Sequence, residues 1–313
     1  MNFWFLTTLF LGSLVISALA VEWSIRYANS HGVFDEPDGK RKLQAVPIPK
    51  LGGLAVAVAF AGSALAVIII RPMDGREIDA VSILVGGVLA AILGFLDDRK
   101  PLSPRVRLLS QTGIALLLWV GGSRIEVTPW QWLNMAITVL WILMIVNGIN
   151  LLDNADGLAS ATTYVAAAGA ALVALIYGQY WITPFAVAVC GVALGFVLHN
   201  WFPARVYLGD AGAYFLGVLL AVLVIRLRPA GVSDAAGVVI AVGLVLLPLI
   251  DTTFVVVRRL MRGVHPFTAG RDHLSHEVQR RGLSVPASVL SLQVVGLLGV
   301  AAAVLVAASV NVV

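Results

Sequence analysis

Ten apolar runs, near residues 2–24, 50–70, 79–96, 106–122, 132–149, 158–177, 181–198, 211–227, 236–256 and 287–311, govern what this 313-residue chain can fold into. A helix needs about 20 apolar residues to cross roughly 30 Å of hydrocarbon, and every run comes close to that length. A bilayer offers no water to backbone polar groups, so a spanning segment must satisfy them internally, as a helix does. The chain is 59% apolar and 12% charged, against about 45–50% and about 25% in soluble domains. That leaves too little charge to cover a water-facing surface. The expected fold is all-α: a polytopic membrane protein of about ten transmembrane helices, with residues 1–313 forming one domain. Ser17-Ala18-Leu19-Ala20 imitates a signal-peptide cleavage site, but residues 1–10 carry no basic side chain, so a retained first span is expected. The single cysteine, Cys190, lies inside an apolar run. It excludes disulfides and thiolate metal clusters and reads as a buried structural thiol.

A net charge of +4 would suit a nucleic-acid partner, but the basic residues sort by loop instead. Arg71, Arg76, Arg124, Arg226 and Arg228 fall in one set of loops, and the other 16 of the 21 Lys and Arg in the opposite set. By the positive-inside rule the richer face is cytoplasmic and both termini are extracytoplasmic. The basic balance is thus mostly orientation, and no nucleic acid is expected as a partner. All five histidines, His31, His199, His265, His273 and His276, fall on the richer face, as do Asp97, Asp98, Asp153, Asp156 and Asp210. A topology fitted to basic residues alone has collected the groups that could do chemistry.

Four segments carry those groups. Gly94-Phe95-Leu96-Asp97-Asp98-Arg99-Lys100 ends an apolar run with two carboxylates, costly near hydrocarbon and therefore a functional signal; solvated loop residues are the plain alternative. Adjacent carboxylates about 100° apart on a helix can serve two substrates at once. In residues 147–157, Asn147, Asn150, Asp153 and Asp156 recur every third position, one polar stripe if the helix continues; interhelical hydrogen bonding is the competing account. The loop from Leu198 through Asn200 to Gly209-Asp210-Ala211-Gly212 places a carboxylate at a helix start, where it either caps the helix or takes Mg²⁺ alongside substrate phosphates. In Arg271-Asp272-His273-Leu274-Ser275-His276, two imidazoles share a face if the segment is helical and flank an arginine, a grip for phosphate oxygens. Zinc is disfavoured there without cysteine, whereas a solvated surface helix fits equally.

These segments, with Asp35-Glu36-Pro37, Arg41-Lys42 and Pro47-Ile48-Pro49-Lys50-Leu51-Gly52-Gly53 ahead of the second run, closely resemble the polyprenyl-phosphate N-acetylhexosamine-1-phosphate transferase family, which also contains the phospho-N-acetylmuramoyl-pentapeptide transferases. The resemblance implies Mg²⁺-dependent transfer of an N-acetylhexosamine 1-phosphate from a UDP-N-acetylhexosamine to a polyprenyl phosphate of the undecaprenyl type. UMP is released, in the first membrane step of a cell-envelope glycan pathway; Mn²⁺ is a conceivable substitute. It makes Asp97 and Asp98 catalytic, and Asn150 and Asp210 metal ligands. Lys50, Asn147, Asp153, Asp156 and Asn200 would bind nucleotide or substrate, and Arg271, His273 and His276 the diphosphate. The implied location is the inner (plasma) membrane with the site facing the cytoplasm; the lipid bilayer is a partner, and a homodimer stays open. Three positions depart from the family pattern: Gln44 and Ser275 stand where histidines are usual, and Pro101 where simple-hexosamine members often carry Asp.

An ion-coupled secondary transporter could use the same carboxylates. Transporter sites lie near the midplane between repeated halves, whereas these acidic groups end helices on one face and the chain shows no internal repeat. An Asp-x-x-Asp-Gly-x-x-Ala-Arg phosphotransferase signature begins at Asp153 but fails at Ser160.

Overall fold

The computed structural model describes residues 2–35, 47–227, 233–265, 268 and 270–310. Among the described residues there are twelve α-helices: α1 (Phe3–His31), α2 (Gly52–Ile70), α3 (Glu77–Arg99), α4 (Pro104–Val120), α5 (Gln131–Leu152), α6 (Leu158–Ile176), α7 (Thr183–Asn200), α8 (Gly209–Arg226), α9 (Asp234–Leu244), α10 (Leu246–Met261), α11 (Leu274–Arg280) and α12 (Val285–Val310). Every expected run is helical, and the chain is an all-α multi-pass membrane protein. Among the described residues, eight helices are long and apolar enough to cross a bilayer, and α9 with α10 makes a ninth if taken as one broken span.

Two runs differ from expectation for identifiable reasons. The ninth is not one helix: α9 and α10 meet at 78° around Val245. Pro248, three residues later, cannot donate the hydrogen bond that would continue α9 through the break. The fourth run yields a helix of 17 residues with Arg105, Arg107 and Gln111 in its first half, short of a full crossing. Strands β1 (Phe34–Asp35) and β2 (Ile48–Pro49) pair antiparallel, Phe34 opposite Pro49 and Asp35 opposite Ile48. This small addition to the all-α plan sets Lys50 just outside α2. Glu36, Pro37, Arg41, Lys42 and Gln44 lie outside the described residues.

The core sits on α8, where every residue between Ala211 and Ile225 is buried. A helix apolar all round belongs inside, and α8 is enclosed by α2, α3 and α5. At the periphery, α1 packs along α7 through small residues. The Ser17 hydroxyl donates to the Val192 carbonyl at 2.8 Å and Ser13 to Ser63 of α2 at 3.0 Å. Cys190 is buried, its thiol 3.9 Å from the Tyr164 carbonyl. At the end of the bundle away from Asp98, Asp79 bridges Arg76 and Arg226, each at 3.1 Å, and Arg226 donates to the Gly121 carbonyl at 2.7 Å. Basic residues assigned to the poorer face therefore share one clamp.

Candidate active site

The first turn of α8 has orphan N–H groups, as every helix start does, and no side chain of its own N-cap, Leu208, meets them. The caps come from other helices. Asp98, in the last turn of α3, accepts from the Asp210 N–H and the Ala211 N–H, both at 3.0 Å. Asp153, just after α5, accepts from the Gly209 N–H. Two carboxylates thus sit on the positive end of the α8 dipole. Gly209 is left-handed at φ 67°, and a Cβ there would lie 2.7 Å from Asp98 Oδ2, so glycine is needed for both shape and space.

Around this turn the charges are unbalanced. The Lys50 ammonium lies 2.8 Å from Asp98 Oδ1. Burial works against its charge, but the carboxylates around it, Asp98 first and then Asp210 and Asp35, together outweigh burial, so its pKa is raised. The Asn150 amide donates to Asp210 Oδ1 at 2.6 Å. Asp153 is driven well above the ordinary carboxylate range by burial and then by Asp210 and Asp98. Three carboxylates, one ammonium and one amide therefore share a pocket of hard oxygen donors.

Asp97 occupies a different environment. Its Oδ1 accepts from the Leu102 N–H at 2.8 Å, its Oδ2 from the Tyr214 hydroxyl at 2.7 Å, and the Arg107 guanidinium lies 2.8 Å away. The side chain is 1% exposed. Asp97 anchors α3 to α4 and α8, while its neighbour faces the α8 turn.

The polar stripe of residues 147–156 does not form, because α5 ends at Leu152 and the chain turns. Asn147 donates to Gln111 Oε1 of α4 and to the Leu143 carbonyl, both at 2.8 Å, outside the carboxylate group. Asp156 accepts from the Ala204 N–H at 3.0 Å, and burial raises its pKa against that contact. Asn200 is buried; it accepts from the Gly157 N–H at 2.9 Å and donates to the Val206 carbonyl at 2.8 Å. Both residues brace the α5–α6 turn against the α7–α8 loop. Asp210 is not the cap of its own helix; that role falls to Asp98.

The Arg-Asp-His-Leu-Ser-His block forms the start of α11. His273 precedes the helix and donates from Nδ1 to Asp251 Oδ2 of α10 at 2.9 Å, while Asp251 Oδ1 accepts from the Leu274 N–H at 2.8 Å. Fixing Nδ1 in this way presents the opposite ring nitrogen, Nε2. The two imidazoles meet edge-on, 5.9 Å between centroids. His276 has its pKa pushed down to about 4 by burial and then by His273, Arg271 and Arg280. Arg271 is exposed beside it. Ser275 is fully buried and donates to Asn154 at 2.5 Å. That bond ties α11 to the turn bearing Asp153, and so joins the histidine block to the carboxylate group.

Asp251, Tyr214 and Asn154 were not among the residues singled out from sequence. Asp251 did carry a signal, a carboxylate inside the ninth apolar run, which is expensive unless partnered. Tyr214 and Asn154 carried none, since an apolar run tolerates a tyrosine and a turn favours asparagine.

A family model described as glycosyl transferase family 4 matches residues 80–228, from α3 to the end of α8. Over 280 residues the chain is 31% identical to a Bacillus subtilis (strain 168) protein named "Probable undecaprenyl-phosphate N-acetylglucosaminyl 1-phosphate transferase", covering 87% of this chain and 76% of that one. It is 32% identical to a phospho-N-acetylmuramoyl-pentapeptide-transferase of Desulforudis audaxviator, over 68% of this chain and 71% of the relative. A decaprenyl-phosphate N-acetylglucosaminephosphotransferase of Mycolicibacterium smegmatis is 26% identical over 92% and 79% of the two chains.

Proposed function

Because the chain belongs to glycosyl transferase family 4, we propose that it transfers an N-acetylhexosamine 1-phosphate from a UDP-sugar to a polyprenyl phosphate, releasing UMP at the cytoplasmic face of the plasma membrane. One observation carries the reading: Asp98, Asp153, Asp210 and Lys50 converge on the first turn of α8, at the end of a lipid-crossing bundle. An acceptor phosphate on a membrane lipid lies at headgroup depth, which is where these helices end. In net terms the bond from the bridging oxygen to the sugar-bearing phosphorus breaks, a lipid-phosphate oxygen bonds to that phosphorus, and UMP leaves. Phosphoryl transfer of this kind depends mostly on positioning and charge neutralisation.

The residues at the α8 turn fit Mg²⁺. Among the described residues no three His, Cys, Asp or Glu side chains converge into a metal cage. Mg²⁺ needs none, since it binds through one or two carboxylates and keeps water and phosphate oxygens for the rest. Asp210, with the Asn150 amide against it, would hold the ion, and a cation there would offset the crowding of Asp98, Asp153 and Asp210 that holds Asp153 so far above the ordinary carboxylate range. Bound there, Mg²⁺ would neutralise phosphate charge. Lys50 would meet a phosphate oxygen, with Asp98 holding Lys50 and the α8 turn in place. From the other side Arg271, His273 and His276 would grip the diphosphate, and Asp153 and Asp156 would meet the nucleotide.

The test is UMP release by the purified full-length protein from a panel of UDP-N-acetylhexosamines with undecaprenyl phosphate and Mg²⁺. Release that stops with EDTA and in Asp210→Asn is expected. A folded protein that releases no UMP from any donor would refute the reading. The transporter alternative has no support: the carboxylates sit at helix ends, and the relatives above are transferases.

A further inference from the structure

Where α10 and α11 meet they enclose a groove of 360 Å³. Phe254, Val257 and Met261 of α10 form its walls, and Arg258, Glu277 and Arg281 its polar edge. None of the residues at the α8 turn lines it. Around the groove α10 turns an apolar stripe outward: Val257 is 48%, Leu260 59% and Met261 84% exposed, at the three- and four-residue spacing of one helix face. The polar edge is basic. Glu277 is shared by Arg258 at 2.8 Å, Arg280 at 2.5 Å and Arg281 at 3.6 Å, and Asp272 by Arg259 at 3.3 Å and Arg262 at 3.0 Å. Five guanidiniums thus meet two carboxylates, which leaves three positive charges over; the next carboxylate, Asp251, is buried against His273. We infer that this groove binds an anionic phospholipid of the leaflet bordering the candidate active site, with its phosphate at Arg258 and Arg281 and an acyl chain along Phe254, Val257 and Met261.

Three observations favour that occupant. First, the 78° break from α9 turns α10 aside, so a helix with one apolar and one basic face can lie along the membrane surface, the usual place for such a helix. Its outward stripe is then solvated by acyl chains, and the arginines beside it sit at headgroup depth. Second, the charge surplus suits a lipid with net negative charge. A guanidinium takes a phosphate through two parallel hydrogen bonds, whereas a zwitterionic lipid brings its own cation and leaves the surplus in place. The Arg258 guanidinium is also set over the Phe254 ring at 5.5 Å, so the polar and apolar parts of the groove adjoin. Third, the acceptor lipid of the proposed reaction has to reach the α8 turn, and this groove does not open on it. The consequence is mechanical: α11 carries Ser275 and His276, so a lipid bound here would hold the helix of the histidine block to the membrane surface.

The inference needs no turnover, so its test stands apart from the transferase reading. Full-length protein is titrated with dioleoyl phosphatidylglycerol or dioleoyl phosphatidylcholine, and bound lipid is read by native mass spectrometry. Wild type should prefer phosphatidylglycerol. Arg280→Gln/Arg281→Gln keeps the Arg258–Glu277 bridge between α10 and α11; it should weaken phosphatidylglycerol about 25-fold, roughly fivefold for each arginine beside an anionic surface, and leave phosphatidylcholine unchanged. Lys100→Gln/Arg105→Gln removes equal charge from exposed positions at the same end of the bundle and should bind like wild type. Val257→Trp fills the groove and should weaken phosphatidylglycerol by about tenfold, the equivalent of 1.4 kcal/mol, while Leu298→Trp on α12, 65% exposed, should not. Wild type without a preference for phosphatidylglycerol overturns the inference, as does unchanged retention in either α10–α11 variant. Equal loss in Lys100→Gln/Arg105→Gln reduces the effect to bulk charge and overturns the site. Displacement of phosphatidylglycerol by equimolar undecaprenyl phosphate gives the groove to the acceptor and overturns it as well.

Discussion

Gly94 is where helix packing and the candidate site are most tightly coupled. A Cβ at position 94 would lie 2.1 Å from the Asp210 carbonyl oxygen and 2.5 Å from the Ala211 nitrogen, where real Cβ contacts essentially never fall below 3.0 Å. Both atoms belong to the backbone, so neither can rotate away. Nor can α8 retreat, because Gly53 of α2 backs the same turn, its Cα 2.6 Å from a Cβ built on Gly212. In Gly94→Ala, α3 must therefore move off α8 by about 1 Å, enough to stretch the 3.0 Å bonds from Asp210 and Ala211 to Asp98 beyond hydrogen-bonding range. Charge-assisted bonds are worth about 1.5–3 kcal/mol each and overpacking costs about 1–3 kcal/mol. Partial relaxation returns some of this, as does the better helix propensity of alanine, by up to ~1 kcal/mol. We expect a net loss of about 2–5 kcal/mol, read as lowered thermal unfolding in detergent. UMP release should fall roughly 10²-fold in kcat/KM, the usual consequence of a misplacement of about 1 Å. Gly113→Ala on α4, where a Cβ meets nothing within 4 Å, should melt no lower than wild type, with at most the ~1 kcal/mol propensity gain, and turn over like it. Wild-type melting and turnover in Gly94→Ala would refute the argument that glycine here sets the α3–α8 distance.

Three further outcomes follow from other contacts. Asn200→Ala leaves the Gly157 N–H and the Val206 carbonyl buried without partners, so thermal unfolding should show a loss of about 2–5 kcal/mol. Asp251→Asn keeps an acceptor for the Leu274 N–H but removes the carboxylate that fixes His273; kcat/KM should fall by about tenfold, one charge-assisted bond, through the donor KM and not the acceptor KM. His276, its pKa pushed down to about 4 by burial and then its cationic neighbours, favours the fold only while neutral. That stability is complete above the unfolded value of about 6.5 and is lost as pH falls towards 4, so melting followed over this range should drop in wild type and drop less in His276→Gln.

The sequence determined where the apolar helical segments lie, because apolar length is a local property and a bilayer permits few other structures, but not that the ninth run breaks or that the fourth falls short of a crossing. It also gathered the chemical groups on one face, since charge placement is written along the chain: Asp98, Asp153, Asp210 and Lys50, each legible from its own segment, do meet at one helix end. What each group does there was decided by tertiary structure. Adjacent Asp97 and Asp98 look equivalent in sequence, yet one is sealed against Tyr214 and Arg107 while the other caps α8. The apparent stripe from Asn147 to Asp156 is dispersed because α5 stops at Leu152. Asp251 finds its histidine only because α10 is folded back at a 78° break. Hydrogen bonds and ion pairs are satisfied across helices that are distant in sequence, so their partners become known only when the helices are packed.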